Sequence, residues 1–192
     1  MIVKAIEFAT RAHASQVRKS DGMPYIGHPM AVMALVNMHG GSEEAQIGAL
    51  LHDVVEDTDV SFQEIGDIFG DSVMSLVREV TEEGAEGDVK ASWEARKQAS
   101  IDALSHKSLD ALIITAADKL HNVMGLVEQY ESQGDDLWSR FARGREKQLW
   151  VYRTMAQKIH DIAKENYWCS GLYLLSKELV HQVNKLSKGS SQ

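Results

Sequence analysis

The 192-residue chain has a single cysteine, two prolines and no long apolar run. With Cys169 alone, an intrachain disulfide is excluded, and a reducing compartment suits the chain. No stretch approaches the roughly 20 apolar residues that span a bilayer. The opening residues, Met1-Ile2-Val3-Lys4-Ala5-Ile6-Glu7, lack a basic region followed by a hydrophobic stretch, so a cytoplasmic location without a secretory signal is expected. Positive charge is also short: 20 Lys and Arg stand against 28 Asp and Glu, a formal charge of −8. That balance argues against coating polymeric nucleic acid, which depends on basic contacts to phosphate. A small phosphorylated ligand is still admitted, provided that a metal or a cluster of basic residues supplies local positive charge. Also absent is any convincing alternation of strand residues, which leaves helical periodicity as the organising pattern.

An apolar fraction of 44% with 25% charged residues is that of an ordinary globular protein, and the length suffices for one domain with a sizeable core. A helix is expected from Ile2 to His13, with Ile2, Ile6 and Ala9 inward. The loop from Arg18 to Pro29 holds both prolines, and Pro29 fits the first position of a helix that runs to a Gly40-Gly41 stop. Ser42 can cap the next helix, with Glu43 and Glu44 in its first turn. Ser61-Phe62-Gln63-Glu64 has the spacing of a capping box, with Val60 and Ile65 as its hydrophobic staple. Glu82 to Ala91 is acidic, contains two glycines and reads as a loop. Further helices are expected over Ser92 to Ser105, Leu109 to about Tyr130, Leu137 to about Asn166 and Gly171 to Leu186. The fold class is therefore all-α, a single helical-bundle domain over 1–186 with a frayed tail at 187–192. Its core motifs occupy about 5–126 and its helical C-terminal part about 137–186. Those later helices can pack within the domain or form a homodimer interface, which periodicity does not separate.

The segment Leu50-Leu51-His52-Asp53-Val54-Val55-Glu56-Asp57-Thr58 places four ionisable groups in apolar surroundings. At about 100° per residue, Ile47, Leu50, Leu51, Val54 and Val55 share one side of a helix, and His52, Asp53 and Glu56 the other. The second side carries no Lys or Arg, and Ala45, Gly48 and Ala49 precede it, small residues that suit close approach of another helix. The helix should be packed on both sides. Carboxylates and an imidazole buried together must be paired, hydrogen-bonded or bound to metal. A second apolar helix, Leu109 onward, delivers Asp118 with His121 and Asn122 on the same face by i, i+3, i+4 spacing. Pairing of Asp118 with Lys119 is the plainer alternative there. His28 lies between Tyr25-Ile26-Gly27 and Pro29, where Pro24 and Pro29 restrict the backbone and could fix its imidazole at a helix entrance. Each element alone is more readily structural, but His28, the His52-Asp53 pair and Asp118 occur together and in order.

Five segments in this order and spacing carry a family resemblance: Ala12-His13-Ala14-Ser15-Gln16-Val17-Arg18-Lys19-Ser20, Pro24-Tyr25-Ile26-Gly27-His28-Pro29, Ala49 to Thr58, Ile68-Phe69-Gly70 with Val80-Thr81, and Ala117-Asp118-Lys119-Leu120-His121-Asn122. Over roughly Ala5 to Leu126 the chain resembles the HD-domain metal-dependent phosphohydrolases, and within them the hydrolase domain of the RelA/SpoT family and its small stand-alone alarmone hydrolases. The resemblance implies that His28, His52, Asp53 and Asp118 bind one divalent ion, usually manganese in this family. It implies that Glu56 and Asp57 orient or deprotonate the attacking water. It also implies that Arg18 and Lys19 hold the nucleotide, with Tyr25 and Asn122 among the substrate-binding residues and Asn122 toward the ribose. Such a ligand set is chemically sensible, since thiolates are absent and imidazole with carboxylate suits several first-row metals. Arg96 and Lys97 could help bind phosphate or lie on a solvated face.

Two departures stand out. Met124 replaces an arginine that many long family members carry, and Glu82 replaces a lysine. The implied activity is removal of 3′-pyrophosphate from guanosine tetra- or pentaphosphate, without the synthetase half of the long members. The alternatives are a phosphatase for another nucleotide or NADPH, and a metal-stabilised sensor. Retention of both Glu56 and Asp57 speaks against the sensor, which needs the ligands but not the water-activating pair.

Overall fold

The computed structural model describes residues 1–18, 22–81 and 92–188. The stretch Glu82 to Ala91, expected as a loop, and the tail at 189–192 lie outside the described residues. Helices follow in the order α1 (Ile2–Ala12), α2 (Gly27–Met38), α3 (Glu43–Leu51), the single turn α4 (Val54–Asp57), α5 (Phe62–Phe69), α6 (Asp71–Val80), α7 (Trp93–Ala103), α8 (Leu109–Gln133), α9 (Gly144–Glu165) and α10 (Ser170–Lys188). Short 3-10 turns, Leu104–His106 and Gly134–Arg140, join α7 to α8 and α8 to α9. Among the described residues there is no strand, only an isolated bridge between Val17 and Pro24.

The helix starts follow local chemistry. Ser42 Oγ accepts the Ala45 N–H at 3.0 Å and donates to Asp110 in the first turn of α8 at 2.5 Å, so one hydroxyl caps α3 and ties it to α8. The Ser61–Glu64 capping box forms in both directions. Ser92 and Ser108 cap α7 and α8 in one direction, their hydroxyls accepting the Ala95 and Ala111 N–H groups. Several expected boundaries shift. α2 begins at Gly27, so Pro29 is its third residue; a missing N–H is tolerated anywhere in a first turn. Leu137 belongs to a 3-10 turn, and α9 starts only at Gly144, whose φ of 70° breaks the run. α6 is a helix beyond those expected from the sequence, and its buried Val73, Leu76 and Val77 carry helical spacing. α10 reaches Lys188, two residues beyond the expected end.

α8 is the axis of the bundle, buried at every residue from 111 to 117 and packed against α2, α3, α6, α9 and α10. As the small-residue stripe predicts, α3 is covered on both sides. Ala45 and Ala49 join the core built around α8, while Ile47, Leu50 and Leu51 join a second core with α1, α5 and α6. A Cβ on Gly48 would stand 3.2 Å from Ile114 Cδ1, which measures how closely α3 and α8 approach. This packing brings the start of α2, the end of α3 and the middle of α8 to one point.

Candidate metal centre and its cavities

The expected continuous helix through His52 and Asp53 is broken there. α3 ends at Leu51, and Asp53 adopts φ −99° and ψ −4° before the single turn of α4. The break turns His52 and Asp53 inward and puts Glu56 and Asp57, both exposed, on the rim. His52 Nδ1 lies 2.8 Å from the Ala49 carbonyl. A carbonyl only accepts, so Nδ1 carries the proton and Nε2 faces the centre with its lone pair when the ring is neutral. His28 is oriented likewise, its Nδ1 2.8 Å from His121 Nδ1.

Both Nε2 atoms meet two carboxylates. His28 Nε2 lies 3.2 Å from Asp118 Oδ1 and 3.6 Å from Asp53 Oδ2. His52 Nε2 lies 3.0 Å from Asp53 Oδ2 and 3.8 Å from Asp118 Oδ1. His28, His52 and Asp118 offer donor atoms all within 4.8 Å of one another. Asp53 stands beside both imidazoles outside that mutual set, its Oδ2 held by the Tyr25 hydroxyl. Asp118 is held from both ends, by Asn122 Nδ2 at 2.6 Å and Lys119 Nζ at 2.7 Å. The plainer alternative, pairing with Lys119, thus coexists with an oxygen turned to the histidines.

Burial works against every charge here, and the neighbours overcome it. Burial pushes the His52 imidazole down, but Asp53 and then Asp118 raise it to about 9. Burial also disfavours ionised Asp53, yet His52 holds it below the ordinary carboxylate range. Burial likewise disfavours ionised Asp118, yet Lys119, with His28 and His52, holds it well below the ordinary carboxylate range. Tyr25 is pushed up by burial and by Asp53, so it remains a donor. A cation fits this chemistry. His52 Nε2 is fully buried without a hydrogen-bond partner among the described residues, aimed at two ionised carboxylates. Oxygen and imidazole donors converging so closely suit a divalent ion.

Several cavities adjoin these groups. The central one, about 250 Å³, contains His28, His52, Asp53 and Asp118 together with Glu56, Asp57 and Lys97. It shares Arg18, Tyr25, Asp57 and Asn122 with a larger cavity of about 650 Å³ walled by Leu126, Leu137, Phe141 and Tyr152. On another side, His52, Val80, Asp118 and Lys119 also border a third cavity of about 230 Å³. All ten site residues predicted from sequence converge here except Lys19, which lies outside the described residues, as does Glu82. Arg18 approaches His121 Nδ1 at 3.4 Å and Asn122 Oδ1 at 3.5 Å. Arg96 and Lys97 do not share a surface: Arg96 lines the third cavity and Lys97 the central one.

Other contributors were not singled out in sequence. Gln16 bonds to His13 at 2.7 Å and donates to the Asp57 carbonyl at 2.6 Å, clamping the acidic turn. Arg140 and Tyr152 complete the large cavity from beyond the motif region, so Met124 does not leave it without a second arginine. No local signal marks either, because their placement depends on how α9 and the preceding turn fold back on α8.

The HD domain family matches residues 5–146. The guanosine-3′,5′-bis(diphosphate) 3′-pyrophosphohydrolase MESH1 of Xenopus tropicalis is 36% identical over 129 residues, 66% of this chain and 69% of that protein. The guanosine-3′,5′-bis(diphosphate) 3′-pyrophosphohydrolase of Aquifex aeolicus is 33% identical over 165 residues, 85% of this chain but 20% of that longer protein. A solved structure of a metazoan ortholog of SpoT that hydrolyzes ppGpp superposes with a TM-score of 0.72 at 27% identity, covering 94% of each chain. No helix among the described residues is long and apolar enough to cross a membrane. An HD domain implies a divalent metal, which the His28, His52 and Asp118 cluster fits. With most of its length inside the family match and relatives of this kind on both sequence and structure, the chain belongs to the HD-domain hydrolases.

Proposed function

We propose that the chain hydrolyses guanosine 3′,5′-bis(diphosphate), or its pentaphosphate counterpart, to release pyrophosphate from the 3′ position. The observation that carries this reading is the continuity of the nucleoside-sized cavity with the histidine and aspartate centre through Arg18, Tyr25, Asp57 and Asn122. The names of the relatives support the same substrate. His28, His52, Asp53 and Asp118 hold the ion, for which manganese is our assignment. When bound, such an ion polarises a phosphoryl oxygen and makes water more acidic.

The chain's own groups do the rest. Glu56 and Asp57 face the central cavity from its rim and take the proton of the attacking water. The water oxygen bonds to the phosphorus next to the ribose, the bond from that phosphorus to O3′ breaks, and O3′ receives a proton. Guanosine diphosphate and pyrophosphate result from the tetraphosphate, and guanosine triphosphate and pyrophosphate from the pentaphosphate. Arg18 secures the nucleotide between the two cavities, with Lys19 as the second cation assigned to it. Tyr25 and Asn122 act first on the centre itself, holding Asp53 and Asp118, and border the substrate second.

The test is a turnover assay of manganese-loaded protein against the guanosine bispyrophosphates, their adenosine analogue and NADPH. The expected products are guanosine diphosphate and intact pyrophosphate, with the 5′ phosphates retained. Orthophosphate release from NADPH with no turnover of the guanosine substrate would overturn the substrate while leaving the metal-dependent hydrolase in place.

A further inference from the structure

The third cavity is unlike the other two. It lies between α6, α7, the 3-10 turn before α8, and α8 itself, and it shares no lining residue with the nucleoside cavity. Its charged rim is cationic: Arg78, Arg96, Lys107 and Lys119, with His106, stand against Glu79 and Asp118. Both acids are engaged, Glu79 by the Ser108 N–H at 2.8 Å and Asp118 by Lys119 and the histidines. Three of the cations also have partners: Lys119 has Asp118, Lys107 donates to the Glu79 carbonyl and Arg78 lies over the Phe62 ring, which makes Arg96 the cation whose side chain is least committed elsewhere. In a chain whose formal charge is −8, this concentration of cations beside the candidate metal ligands calls for an anion. Its volume of about 230 Å³ holds on the order of seven waters, enough for one phosphate group with part of its hydration.

We infer that this cavity receives the distal phosphate of the 3′-diphosphate and thereby selects a diphosphate over a monophosphate at that position. The inference rests on the hydrolase reading above. If the nucleoside occupies the large cavity and the phosphorus next to the ribose sits at the centre, the chain of phosphates continues toward His52, Asp118 and Lys119, which border the basic cavity. α7 supports the same path. Its consecutive Arg96 and Lys97 diverge by about 100° around the helix, so that Lys97 faces the central cavity and Arg96 the basic one. Two adjacent cations thus face two adjacent phosphates. Arg96 can meet phosphate oxygens with two parallel N–H groups, which a Lys can do only as a point charge.

Arg96 is exposed, so shortening it leaves the core intact. The experiment compares parent, Arg96→Ala and Arg96→Lys, each manganese-loaded, on guanosine 5′-diphosphate carrying either a diphosphate or a monophosphate at the 3′ position. In Arg96→Ala the kcat/KM ratio of diphosphate over monophosphate substrate should fall at least tenfold, with partial recovery in Arg96→Lys. Inhibition by pyrophosphate should weaken by a similar factor while inhibition by guanosine diphosphate stays unchanged. Equal losses on both substrates, or unaltered pyrophosphate inhibition, would overturn the assignment. Calorimetric titration of metal-free parent and Arg96→Ala with pyrophosphate and with orthophosphate reads the cavity without turnover. Weaker pyrophosphate binding in the variant, with no guanosine hydrolysis by the parent, would uphold the cavity and sink the hydrolase reading; equal pyrophosphate binding would sink the cavity.

Discussion

Asp53 and Glu56 sit three residues apart and are assigned opposite duties, which makes them separable by substitution. Asp53 is largely buried between His52 and Tyr25, and its Oδ2 lies within 3.6 Å of both imidazoles. Asp53→Asn keeps the shape and removes the charge. It should therefore lose metal and activity together and melt at a lower temperature than the metal-loaded parent. A full equivalent of metal measured in the purified variant would take Asp53 off the ligand set. Glu56 is exposed on the rim of the central cavity, one helical turn beyond His52 and Asp53. Glu56→Gln should retain metal and lose activity by about 10²–10⁴-fold, the range for a positioned general base. Unchanged turnover would show that Asp57 or another group does this work.

The elements position these residues through contacts of very different sequence range, and this decides what could be read in advance. Caps at Ser42 and Ser61 and the small stripe Ala45, Gly48 and Ala49 were legible because each is a local pattern with a local physical cause. The interruption of the helix at His52 was not, since Leu50 to Thr58 reads as one uninterrupted turn pattern and only the convergence of α2, α3 and α8 rewards the break. Nor was the grip of His121 on His28, which joins residues 93 positions apart. Likewise Arg140 and Tyr152 reach the large cavity only because the C-terminal helices fold onto α8. A sharp test of that long-range packing is Gly171, in the first turn of α10. A Cβ there would lie 1.8 Å from the His39 carbonyl oxygen at the end of α2, and backbone cannot yield as a side-chain tip can. Gly171→Ala should therefore destabilise the fold by about 1–3 kcal/mol, the usual cost of overpacking, despite the better helix propensity of alanine. A chemical-denaturation midpoint equal to the parent's would refute so close an approach of α10 to α2.

For the molecule as a whole, metal and protons compete for the same centre, and their linkage gives stability a pH dependence whose sign can be worked out. In the metal-free protein His52 has its pKa raised to about 9, from an ordinary value of 6.5, because Asp53 and Asp118 outweigh burial. A group raised in the folded state contributes stability that is complete below the unfolded value and fades as pH rises through the folded one. Metal-free protein should thus weaken between pH 6.5 and 9. Metal binding needs the imidazole neutral, so each ion bound must displace the His52 proton over the same interval. At fixed free manganese the stabilisation by metal should grow with pH by up to about 1.4 kcal/mol per unit, the equivalent of one proton released. These are two views of one linkage, since the metal-loaded protein has its imidazole already neutral and loses nothing over this interval. The gap between the Tm of the metal-loaded protein and that of the metal-free protein should widen steadily up to about pH 9 and level off above. Differential scanning calorimetry in matched buffers, with and without the ion, measures that gap. A gap that stays constant across the interval would mean that His52 does not exchange a proton for the metal, and the ligand set would have to be redrawn without it.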